Sequence, residues 1–174
     1  ENFLLGYFLF ISISFLAQTS NVGGPVSWSF DEDVDVMYIP HFQLSKSNIE
    51  KQIQINESIE LLTKSGFVFG VEQIVDIDFH QNAYWQQTKK GRIGRLQIKS
   101  SEAISLNLIF DQFNLSEGSF LHLYSTDKKE LLGAYTSLNN NKQKILGTDL
   151  IHHEEVIVEL FEPNDEIGKS ILHI

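Results

Sequence analysis

No cysteine occurs anywhere in the 174 residues, and only three prolines and one methionine are present. The missing thiols exclude disulfide staples, thiolate zinc sites and a cysteine nucleophile together. Cations are scarce too. Thirteen Lys and Arg stand against 23 Asp and Glu, for a net charge of −10. Such a chain lacks the clustered positive charge that neutralises the phosphates of a duplex. Several signature loops are absent: a Gly-x-Ser-x-Gly elbow, a Gly-Asp-Ser-Gly, a Gly-x-x-x-x-Gly-Lys-Ser/Thr phosphate loop and a Gly-x-Gly-x-x-Gly. No Ser is set beside a His and an orienting carboxylate, so no acyl-transfer site is argued. The sequence therefore assigns no catalytic, no cofactor-binding and no metal-ligating residue.

What is present is apolar enough, at 42% hydrophobic residues with thirteen Phe, for a folded domain of ordinary size. The longest apolar run lies at the start. Phe3 to Ala17 carries no charge and is broken only by Gly6, Ser12 and Ser14. It falls short of the roughly 20 residues a spanning helix needs and is followed by Gln18-Thr19-Ser20-Asn21. That layout reads as an export signal over residues 1–17, cleaved within 17–20, with a buried core segment or a retained anchor as alternatives. Residues 18–43 read as extended and irregular, with breaks at Gly23-Gly24-Pro25 and Pro40. Residues 44–174 read as one domain. With no starting Met and an abrupt strand-like end at Ser170–Ile174, the chain reads as a fragment of a longer exported protein, destined by way of the periplasm for the cell surface or the medium.

From Val71 onward hydrophobic residues recur with a period of two. Val75, Ile77 and Phe79 alternate with Asp76 and Asp78, and Leu96 and Ile98 with Arg95, Gln97 and Lys99. Ile104, Leu106, Leu108 and Phe110 alternate with Ser105 and Asn107. Leu121 and Leu123 flank His122, while Val156, Val158 and Leu160 alternate with Glu155 and Glu159. Half-buried strands give this pattern, because successive side chains face opposite sides of a sheet. Turn chemistry separates them at Lys90-Gly91, Ser116-Glu117-Gly118, Asp127-Lys128-Lys129 and Asn139-Asn140-Asn141. The expected fold is an all-β antiparallel sandwich with jelly-roll or Greek-key connections. One or two short helices are expected near residues 45–64, where Ser47-Asn48-Ile49-Glu50 has capping-box spacing.

Two clusters invite a metal reading. His152-His153-Glu154-Glu155 is dense in ligands, but adjacent His on a strand face opposite ways, and a polar hairpin tip before Val156–Phe161 is expected instead. Asp31-Glu32-Asp33 with Asp35 lacks the Gly and distal Glu of a calcium loop and reads as a solvated acidic stretch. His80 reads as a strand-end residue. Trp28, Phe30, Tyr84, Trp85, Tyr124, Tyr135 and Phe161 read as sandwich core, with a sugar-stacking platform as the alternative. Arg95, alone on a polar strand face, is expected to pair with a carboxylate of a neighbouring strand.

From Gly23 onward the chain resembles the N-terminal region of secreted lysyl-endopeptidase-like, trypsin-like serine proteases and related multidomain exported proteins of Bacteroidota. The resemblance rests on Gly23-Gly24-Pro25-Val26-Ser27, Ile39-Pro40, Arg95-Leu96-Gln97-Ile98-Lys99-Ser100 and Ala103-Ile104-Ser105-Leu106-Asn107-Leu108. It continues through Phe110–Gly118, Leu123-Tyr124-Ser125, Gly133–Asn140 and Glu159-Leu160-Phe161-Glu162-Pro163. The chain differs from the family pattern at Gly94, where a Trp is usual, at Val68 (usually Arg) and at Ser116 (usually Pro). None of the matched residues is catalytic in that family, whose trypsin-like domain lies further downstream. The resemblance implies a propeptide or accessory domain that assists or restrains a downstream protease domain of the same chain. An extracellular module that binds a glycan or a matrix protein is the alternative. No nucleic acid and, after signal removal, no membrane is expected as a partner.

Overall fold

The computed structural model describes residues 23–29, 39–45 and 70–174. The expected export signal, the acidic stretch at Asp31–Asp35, Phe30 and the capped helices expected near 45–64 lie outside the described residues. The rest is an all-β sandwich. Its main sheet runs β1-β3-β9-β6-β7, made of His41–Gln43, Gly91–Lys99, Glu155–Pro163, Phe120–Ser125 and Leu131–Tyr135, with β2 (Tyr84–Gln87) also pairing with β3. Every pair in it is antiparallel except β1 with β3. Two small ladders face it: β5 (Gln112–Asn114) with β10 (Ile171–His173), and β4 (Ile109–Phe110) with β8 (Leu146–Gly147).

The period-two pattern fixes which side chains enter the space between the layers. Leu96 and Ile98 of β3, Val156, Val158 and Leu160 of β9, and Leu121 and Leu123 of β6 all project to one side. They meet Phe110, Phe113, Leu115, Ile151, Leu172 and Ile174 from the second layer, with Ile77 and Phe79 closing one end. Each such side chain removed from water contributes about 1.5–3 kcal/mol. The expected turns at 116–118, 127–129 and 139–141 all fall between strands.

Two expected strands are not ladders. Residues 71–76 form no ladder, Ile77 exchanges backbone hydrogen bonds with Ile174, and the segment leads into a one-turn helix, α1 (Phe79–Asn82), capped by the Asp78 carboxylate. His80 is therefore a helix residue rather than a strand end. Residues 101–108 form a turn and an irregular stretch joined to the sheet system through the Leu106–Ile151 bridge, and Ile104 is exposed. Alternation placed Ile77, Phe79 and Leu108 in the core correctly, yet no neighbouring strand offers either segment a ladder. In the N-terminal part, Val26–Ser29 forms a single 3-10 turn.

Candidate functional site

The face of the main sheet turned away from the core is not a solvated polar surface. Across four strands, Tyr84, Arg95, Glu159 and His122 stand in register, one beside the next. Arg95, Glu159 and His122 are each at most 2% exposed. Apolar neighbours flank this row: Ile93, Phe161 and Phe120 on one side and Ile157 with Tyr124 on the other, with Phe120 and Phe161 stacked at 6.0 Å between ring centroids. A charged row between two apolar rows stays folded only if its polar atoms are satisfied.

The strap formed by residues 23–29 supplies part of that satisfaction. Ser27 donates its amide to Glu159 Oε1 at 3.1 Å and its hydroxyl to Glu159 Oε2 at 2.5 Å. Tyr124 donates its phenol to the same Oε2 at 3.0 Å. The Trp28 ring meets Tyr124 edge-on at 5.3 Å. On the sheet, Arg95 Nη2 donates to Gln86 Oε1 at 3.1 Å. Burial and then the Glu159 charge push the Tyr124 phenol well above its ordinary value, so it remains a protonated donor. Burial pulls the His122 imidazole down, against the opposing effect of a hydrogen bond with the Gly23 backbone, and keeps the ring neutral. Its Nε2 is buried without a hydrogen-bond partner.

A second buried carboxylate sits at the end of the opposite face. Glu162 accepts from Arg92 Nε and Nη2 at 2.8 and 2.7 Å and from the Gly168 and Ser170 amides at 3.0 and 3.3 Å, with His80 Nε2 at 3.3 Å. Burial acts against its charge, but the hydrogen bonds of His80, Gly168 and Arg92 prevail and bring its pKa to about 2. The Arg92 guanidinium lies 3.8 Å above the Trp85 ring. Both carboxylates are anchors: Glu159 accepts three hydrogen bonds, and each oxygen of Glu162 meets at least two donors.

The ligand-rich tetrad is dispersed. His152 turns to Glu130 and His153 Nδ1 accepts the Glu155 amide, while Glu154 caps the Glu102 amide and Glu155 holds Lys99 and Gln97. Among the described residues no three His, Asp or Glu gather to hold a metal ion. Of the aromatic residues singled out, Tyr124, Tyr135 and Phe161 are buried, Trp28 and Trp85 half-buried and Tyr84 exposed. Arg95 stands in register with Glu159 on the adjacent strand, and its Nη2 donates to Gln86 Oε1.

Sequence reasoning had not brought Ser27, Tyr124, His122 and Glu159 together. One signal was available. Val156 to Phe161 is apolar at five of six positions, which marks a strand covered on both faces rather than one. Comparison with family models, with curated proteins and with solved structures returns no match. Among the described residues no helix is long and apolar enough to cross a membrane.

Proposed function

We propose that residues 23–174 are a non-catalytic N-terminal accessory domain, a propeptide, of an exported serine endopeptidase precursor, and that the domain assists or restrains the protease that follows. The observation that carries this reading is the fate of the residues behind the resemblance. Ser27 on the strap and Arg95, Tyr124 and Glu159 on the sheet come from four separate motifs, and Ser27 joins the strap to Glu159 and, through it, to Tyr124. Ser27 Oγ is buried and donates to a carboxylate rather than to a histidine. The motifs thus specify a shape, which is what a folding aid requires.

The departure at Gly94 fits the same view. Trp85, its register partner on β2, lays its ring over Gly94, so an indole covers this position from the adjacent strand. The whole chain carries −10, and residues 23–174, without Glu1, carry 13 − 22 = −9, which favours a neutral or basic partner, and tethering in one chain holds such a partner at an effective concentration of about millimolar.

The test is made on the full precursor gene. Deleting residues 23–174 abolishes active protease, and supplying the domain as a separate chain restores part of it. Normal yield and activity from the deleted precursor overturn the reading in favour of a glycan- or matrix-binding module.

A further inference from the structure

His173, on β10, lies between two carboxylates brought from distant parts of the chain. Its Nδ1 is 2.7 Å from Asp111 Oδ1, just before β5, and its Nε2 is 2.8 Å from Asp76 Oδ1, in the extended segment before α1. An ionised carboxylate only accepts, so both ring nitrogens must donate, and only the imidazolium can do that. A neutral ring would keep one bond and turn a lone pair toward the other carboxylate.

We infer that His173 is a protonation-operated clasp that fastens β10 to β5 on one side and to the 76–78 segment on the other. The structure at stake is well defined. Ile77 and Ile174 exchange backbone hydrogen bonds at 3.1 and 3.0 Å, Asp78 and His173 form a bridge, and Leu172 is buried in the core. The charged groups acting on the ring are Asp111 and Asp76, which raise its pKa by hydrogen bonding, against a smaller opposing effect of burial. Of the other titratable groups on the packed elements, Asp78 is engaged with Gln81 and His80 with Glu162. Because the folded-state pKa lies above the unfolded value of about 6.5, the clasp's stabilisation is fully present below that value. It is lost as pH rises through the folded value.

The experiment is NMR on the whole 174-residue chain. The His173 ring is titrated and amide exchange at Ile77 and Ile174 is followed across the same pH range, in the native chain and in D76N, D111N and the double variant. The clasp predicts a His173 pKa above the free-imidazole value, lowered by each substitution and returned to the ordinary range by both. It also predicts that the two amides open severalfold more, after correction for intrinsic exchange, as the ring deprotonates in the native chain but not in the double variant. A native His173 that titrates at or below the free value, or amides indifferent to its titration, overturns the clasp. If the variants do not fold, the native ring titration and exchange decide it.

Discussion

Gly94 illustrates how tightly single residues are specified here. A Cβ built on it would lie 2.8 Å from the Trp85 ring. That ring cannot easily retreat, because its Nε1 donates to the His80 carbonyl at 3.1 Å and Arg92 covers it from above. Gly94→Ala is expected to cost about 1–3 kcal/mol as overpacking. A lower urea midpoint at unchanged slope would show it, and an unchanged midpoint would mean the indole moves freely. The sequence made Gly94 conspicuous only as a departure from a family pattern. The contact that makes it necessary, between residues nine apart on paired strands, is a matter of register. His173 was less legible still, since its two partners lie 97 and 62 positions away and no local pattern announces them.

At the scale of elements, β3, β6 and β9 were readable because their alternation is long and their hydrophobic faces agree. The segments at 71–77 and 101–108 carry the same alternation, but a strand needs a partner as well as a pattern. The second face of the sheet was misjudged for a different reason. Charged residues at alternate positions suggest solvent, whereas Arg95 and Glu159 are buried and hydrogen-bonded at the centre of this face, with the strap over Glu159. His122 provides a pH test of that burial. Its folded-state pKa is depressed, so its neutral form is compatible with the fold above the unfolded value of about 6.5. Stability is lost as pH falls below that value, at no more than about 1.4 kcal/mol per pH unit. His173 acts with the opposite sign, so the measurement is a difference: unfolding of the native chain against His122→Gln from pH 8 to pH 5. The native chain should lose ground to the variant on acidification. A constant gap would mean that His122 is hydrated in the folded state.

For the whole molecule, the fold class was legible in composition and period, while the joining of its distant parts was not. Sandwich architecture follows from many short amphipathic strands and frequent turns. The joint between residues 23–29 and the sheet depends instead on a carboxylate 132 positions from its hydroxyl partner, and on burial that makes each of those bonds matter. If that joint organises the molecule, the strap and the sheet unfold as one body. The most direct measurement is a double-mutant cycle in denaturant unfolding with Ser27→Ala, Glu159→Gln and both together. The account predicts that the double variant loses less than the sum of the single losses, by about 1–3 kcal/mol, because each single change breaks the same buried contact. Losses that add to within about 0.5 kcal/mol would place Ser27 away from Glu159 in solution and contradict it.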